Sequence, residues 1–167
     1  EPQKLSYAKA CENILYHLPP DVSAWGKLYH RSLFEGLSYP AGRLFEDTYL
    51  IADLLHAAGS VVMEYRPQYH YRFLENSISK SVTADHLWDF MDAVDHLTAS
   101  VLAQNPGLTK ACANRRVHAA LSTKRLTVKG GARPSLRRAN RAIRAGAASV
   151  LLNAKADNRN KFGILAS

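Results

Sequence analysis

The spacing of apolar and polar positions predicts a mixed first part of the chain. Apolar residues at near-helical spacing predict a helix over residues 5–18, with Ser6 as its N-cap and Pro19-Pro20 as its stop. A second helix is expected over residues 46–58, ended by Gly59. Runs typical of short strands follow at 60–65 and, by alternation, at 69–73.

Beyond residue 81 the pattern is helical throughout. We predict helices over residues 84–103, 108–121 and 135 to about 154, with a break at Gly130-Gly131. Four acids lie on the polar side of the first of these helices, where a solvated face explains them better than a metal site does: Asp85, Asp89, Asp92 and Asp95. The expected fold class is α+β, predominantly helical, with two or three short strands.

The composition fits one domain of ordinary size, and the charge is distributed unevenly along the chain. The 167 residues are 47% hydrophobic, and the net charge is +8. From Lys110 onward there are fourteen Lys or Arg against one acid, Asp157, so the positive charge belongs to the tail. Residues 110–146 suit an anionic membrane surface, although a solvated helical tail explains the charge equally well.

The tail also leaves open a different class of function, a basic helical module that binds nucleic acid or serves as an adaptor. No groove-reading motif supports nucleic acid as the partner. The side chains that would contact phosphates are Arg115, Arg116, Lys124, Arg125, Arg137, Arg138, Arg141 and Arg144.

The two cysteines indicate a reducing, cytoplasmic setting. Cys11 and Cys112 stand in apolar helical contexts, which favour free buried thiols over a disulfide. No apolar run is long enough to cross a bilayer. The chain begins without Met or a signal-peptide pattern, so we expect it to be part of a longer protein.

Candidate chemistry centres on Glu46-Asp47, which follows a glycine loop and opens a helix. Free backbone amides and the positive end of the helix dipole hold a carboxylate ionised there. An acidic first helical turn is common, so the pair alone does not identify a site.

Three linked segments give the pair its context. They are Trp-Gly-Lys-Leu-Tyr at 25–29, Tyr-Pro-Ala-Gly-Arg-Leu-Phe-Glu-Asp-Thr at 39–48, and Tyr-His-Tyr-Arg-Phe-Leu-Glu-Asn-Ser-Ile at 69–78. In this order the chain resembles the acceptor-side, C-terminal part of a family 2 glycosyltransferase of the bacterial polysaccharide type. The third segment departs from the family pattern, because Leu74 stands where the family often has a second Arg.

The resemblance implies an inverting transfer from a nucleotide-sugar to a saccharide or lipid-linked acceptor in cell-surface polysaccharide synthesis. Asp47 would be the general base, with Glu46 in support. Substrate-binding residues would be Trp25, Lys27, Tyr29, Arg43, Arg72 and Ser77. Core packing is the preferred interpretation of Trp25, and Arg72 could equally be a plain surface residue.

The resemblance also implies what the chain lacks. It has no Asp-x-Asp motif and no alternating strand-helix series for the donor, so Mg²⁺ or Mn²⁺ is expected only in the full-length enzyme and this chain alone would be inactive. His70 could ligate a metal there, although a paired strand histidine is the simpler interpretation. We expect the acceptor-side part of a GT-A type fold at 1–80 and a helical extension at 81–167. The location would be cytoplasmic, at or near the inner face of the plasma membrane.

Overall fold

The computed structural model of the chain describes residues 1–73, 84–130 and 135–167. These residues form a predominantly helical α+β fold, which confirms the expected class. The elements are β1 (Gln3–Ser6), α1 (Tyr7–Leu15), α2 (Glu46–Ala58), β2 (Ser60–Met63), α3 (Ala84–Gln104), α4 (Thr109–Gly130), α5 (Ser135–Leu151) and α6 (Asn158–Leu165). Short 3-10 turns occur at Arg31–Phe34 and Pro106–Leu108.

The first helix is shorter than predicted, because a strand precedes it. β1 pairs antiparallel with β2, and Leu5 lies opposite Val61. Leu5 is the buried residue of β1, so it fills the core from a strand and not from a helix. Ser6 caps α1 as expected, accepting a hydrogen bond from the Lys9 amide, and the helix ends at Leu15, before the two prolines.

The second helix has the predicted bounds. Gly59 closes α2 with φ +67°, a conformation that costs glycine little. β2 follows directly but ends at Met63. The second predicted strand, at 69–73, is wrong: those residues have no regular secondary structure, and their aromatic side chains contact one another and Trp25.

The helices of the second half differ from the prediction mainly at their ends. α3 ends within one residue of the expected position, and α4 continues to Gly130 because no glycine or proline interrupts it earlier. α5 ends at Leu151. The sequence pattern missed α6, an eight-residue helix whose N-cap, Asp157, accepts from the Arg159 amide at 2.8 Å.

The core joins both halves of the chain. One cluster packs buried residues of α1, α2, α3 and α4 together, among them Cys11, Leu15, Ile51, Leu97, Val101 and Cys112. A second cluster joins α3, α4 and α5 through Met91, Ala120, Ala139 and Ile143. Both cysteines are free and buried, as expected, and burial raises the pKa of each thiol to about 11.

Acidic side chains of α3 are exposed to solvent and also form ion pairs with α5. Asp92 and Asp95 remain about half exposed and form ion pairs with Arg138 of α5, with N···O distances of 2.6 and 2.8 Å. Asp89 accepts a hydrogen bond from the Leu44 amide. Within the described ranges no helix is both long and apolar enough to span a bilayer.

Candidate active site

The turn before Glu46-Asp47 is held by the second half of the chain. Phe45 takes the left-handed conformation, φ +59°, directly before α2, and its ring lies 4.9 Å from that of Phe90 on α3. Asp89, one residue earlier on α3, accepts from the Leu44 amide at 3.4 Å. A positive φ at a non-glycine residue is unfavourable by itself, so these contacts support the conformation that opens α2.

Asp47 is half-buried in the first turn of α2. Its Oδ1 atom accepts from the Thr48 amide at 2.6 Å and from the Thr48 hydroxyl at 3.3 Å. Burial raises the pKa of Asp47, and the exposed Glu46 beside it adds to the increase. Thr48 and the positive charge of Lys27 act in the opposite direction. A carboxylate whose pKa is raised above its ordinary value is the type of group that can accept a proton in catalysis.

Lys27 lies within electrostatic range of Asp47 but is engaged by its own loop. Its ammonium group donates to Asp21 Oδ1 at 2.7 Å and also to the Ser23 carbonyl. The amine is mostly buried. In this structure Lys27 therefore orders the 21–27 loop and supplies a positive charge near the carboxylate.

Arg115 of α4 is a second cation within electrostatic range of Asp47, and the sequence pattern did not indicate its place in the interior. It is 6% exposed, and one terminal nitrogen lies 2.6 Å from His17 Nδ1. Burial lowers the pKa of Arg115 to about 10, while the charge of Asp47 opposes that decrease. The expectation that Arg115 contacts phosphates as a surface cation is wrong, because its guanidinium is in the interior. Only its tertiary burial distinguishes it from neighbouring arginines.

Tyr29 is a further predicted residue within electrostatic range of Asp47. Its ring lies edge-on to Phe34, with centroids 5.7 Å apart. Burial raises the pKa of the Tyr29 hydroxyl, with contributions from Tyr39 and from the charge of Asp47. Of the predicted site residues, Glu46, Lys27 and Tyr29 are therefore within electrostatic range of Asp47.

Trp25 belongs to an exposed aromatic surface on the same loop. It is 46% exposed and stacks on Tyr69, with centroids 5.2 Å apart and planes 23° apart. Tyr71 lies 5.1 Å from Trp25, and Phe73 continues the group. Gly26, with φ +69°, allows residues 25–26 to approach Tyr69. Packing in the core does not explain Trp25, since its contacts are with other surface rings.

The remaining predicted residues are more scattered. Arg43 is at the surface, where it donates to the Tyr49 hydroxyl at 2.8 Å. Arg72 and His70 are exposed, and in the described part of the chain neither forms a hydrogen bond or an ion pair. Ser77 lies outside the described residues. Within the described residues no cluster of three His, Cys, Asp or Glu could hold a metal ion.

Comparison with known proteins gives one informative match. Over 73 residues the chain is 36% identical to glycosyltransferase GlyA of Streptococcus pneumoniae serotype 4. The chain is similar to a glycosyltransferase. The match covers 44% of this chain and 10% of that protein, so the chain spans only a small part of the relative's length. No family model and no solved structure matches the chain.

Proposed function

We propose that this chain forms the acceptor side of a glycosyltransferase active site, with Asp47 as the general base. The observation that carries the proposal is the half-buried Asp47 at the start of α2, which Thr48 holds by hydrogen bonds and which lies within electrostatic range of the cations Lys27 and Arg115. The similarity to a glycosyltransferase supports the same class of reaction.

The chemistry follows from the position of the carboxylate. In the proposed reaction Asp47 takes the proton of an acceptor hydroxyl, and the hydroxyl oxygen attacks the anomeric carbon of a nucleotide-sugar. The bond to the nucleoside diphosphate breaks on the opposite side, so the configuration inverts. Oδ1 of Asp47 accepts hydrogen bonds from Thr48, whereas Oδ2 accepts none from the described residues, so Oδ2 is the oxygen that would take the acceptor proton.

The acceptor would be a saccharide or a lipid-linked saccharide. Exposed aromatic rings bind sugars through their flat faces, and the loop that carries Lys27 and Tyr29 also carries Trp25. The acceptor would therefore extend from Asp47 along the 25–29 loop toward Trp25. We propose polysaccharide synthesis at the cytoplasmic side of a bacterial membrane as the setting, with Glu46 in a supporting role.

The donor sugar and its metal ion require residues other than those described here. A divalent ion such as Mg²⁺ or Mn²⁺ offsets the charge of the leaving diphosphate in many such reactions. The described residues do not fit such a site, because they contain no group of three ligating side chains. We assign donor and metal binding to a preceding part of a longer protein.

Replacement of the base tests the proposal. In the full-length enzyme Asp47→Asn should lower kcat by about 10²- to 10⁴-fold, the range expected for loss of a general base. Donor binding, measured by calorimetry with the nucleotide-sugar, should be unchanged. Asp53→Asn is the matched control, since it makes the same change further along α2, where the carboxylate pairs with His96, and it should leave kcat close to that of the unmodified enzyme.

Two results would contradict the assignment. Full activity of Asp47→Asn would exclude Asp47 as the base. An equal loss of donor affinity would place Asp47 in donor binding instead.

A further inference from the structure

Eight of the fourteen cations of the basic tail form two groups with different surroundings. The first group is already engaged within the protein. Arg115 is buried against His17, and Arg116 and Arg138 pair with acids of α3. Lys155 pairs with Glu12 of α1, and Arg159 with Asp157. Arg115 is enclosed by the protein, and each of the other four already has an acidic partner within the chain.

The second group is a stripe on α5, formed by Arg137, Arg141 and Arg144. All three are exposed, and they form no hydrogen bond or ion pair with the described residues. Their spacing of four and three residues places them on one side of the helix. Together with Asn140 they line a shallow surface depression.

The orientation of the stripe is fixed by the packing of α5. The other side of the helix is buried, through Ala139, Ile143 and Val150, against the rest of the fold. Gly146 faces Val117 so closely that a Cβ atom would lie 2.4 Å from a methyl carbon. α5 therefore cannot rotate to hide the arginines, and the stripe faces solvent.

An apolar end continues the same side of α5. Leu151 follows Arg144 by seven residues and Leu152 follows Arg141 by eleven, both close to whole helical turns. Leu152 is 88% exposed, and Leu151 is also exposed. The Leu152 amide still donates to the Ala148 carbonyl, so the helical path extends to it.

We propose that this side of α5 binds the surface of an anionic lipid bilayer. The three arginines would contact lipid phosphates, and the two leucines would enter the boundary between headgroups and acyl chains. The charge complementarity selects a polyanionic surface. The exposed leucines favour a bilayer over nucleic acid, since a phosphate backbone offers them no apolar partner. This proposal is independent of the catalytic role of Asp47.

Vesicle binding tests the proposal with the 167-residue chain. Its affinity for vesicles of phosphatidylcholine mixed with phosphatidylglycerol would be measured by co-sedimentation. The triple variant R137Q/R141Q/R144Q should bind roughly a hundredfold more weakly, from the typical contribution of a basic residue at an anionic membrane surface. The matched control K4Q/R31Q/R66Q has the same net charge as the triple variant, but its three substitutions lie at exposed positions outside α5. It should stay within a few-fold of the unmodified chain.

A second variant tests the apolar end. Leu152→Ser should weaken binding several-fold but keep its dependence on salt, because no charge is removed. Val62→Ser, which changes another exposed apolar residue, should have no effect. Circular dichroism checks that each variant is folded.

Three outcomes would overturn the proposal. In the first, the triple variant and its control bind the vesicles equally. In the second, the unmodified chain binds pure phosphatidylcholine as well as it binds the anionic mixture. In the third, it binds duplex DNA through the three arginines and does not bind vesicles.

Discussion

At the scale of single residues, the decisive property of the site is the charge balance around Asp47. Burial raises the pKa of this carboxyl, and Lys27 offsets part of the increase. Lys27→Met in the full-length enzyme should therefore raise the pKa further. A general base works only when it is deprotonated, so activity is lost as the pH falls through its pKa. The acidic limb of the kcat/KM profile should move to higher pH in the variant.

The control for this experiment is Lys9→Met, which removes an exposed cation on α1 that pairs with Glu12. Its acidic limb should coincide with that of the unmodified enzyme. If Lys27→Met lowers activity equally at every pH, Lys27 acts by ordering the loop through Asp21, and its charge does not tune the base.

Part of this site could be predicted from sequence because its signals are local. Glu46-Asp47 stands after a glycine loop, and Trp25, Lys27 and Tyr29 share one short segment. Arg115 could not be found this way, since it resembles Arg116 and Arg125 in sequence. Its difference from them comes from packing between residues almost a hundred positions apart, as in its contact with His17.

At the scale of elements, the helix ends that depend on neighbouring residues were predicted, and the strand that depends on distant residues was missed. Glycine at the end of α2 and the serine cap of α1 act within a few residues, and both were predicted correctly. β1 depends on pairing with β2 across almost sixty residues, so four residues of sequence could not indicate it. The alternating residues 69–73 have the pattern of a strand but no partner for one, and they form a surface aromatic group.

The packing of α4 on α5 gives a prediction at this scale. In Gly146→Ala the new methyl would meet Val117 at 2.4 Å, a distance that real contacts do not show. Overpacking of this kind costs about 1–3 kcal/mol, more than the roughly 1 kcal/mol that alanine gains over glycine within a helix. The free energy of unfolding measured in urea should therefore be lower for the variant. The same glycine-to-alanine change on an exposed helix face would raise it.

A compensating substitution distinguishes this cause from a general defect. Val117→Ala removes the methyl groups that the new side chain would contact. The double variant should be more stable than the sum of the two single effects allows. Additive losses would show that the contact between Gly146 and Val117 is not the source of the destabilisation.

At the scale of the whole molecule, the proposed acceptor-side part and the helical extension share one interior. Leu97, Val101 and Cys112 pack with residues of α1 and α2 in one buried cluster. The buried Asn114 side chain donates to the Leu15 carbonyl at 3.2 Å and so satisfies the end of α1. The turn before Asp47 is also supported from α3, by Asp89 and Phe90. The predicted boundary near residue 80 would therefore divide two functions within a single folding unit.

This arrangement predicts that residues 1–80 do not fold alone. A fragment of that length would expose the apolar sides of α1 and α2 that pack on α3 and α4 in the whole chain, so it would lose much of the buried area that stabilises the fold. Its unfolding in urea should show no cooperative transition, whereas residues 1–167 should unfold in one. Adding residues 81–167 to the fragment should restore helical signal by circular dichroism. The opposite result would be a cooperative transition in residues 1–80 alone, at the same urea midpoint as the whole chain. It would show that the extension is an independent folding unit. It would also show that the contacts from α3 to the turn before Asp47 do not contribute to stability.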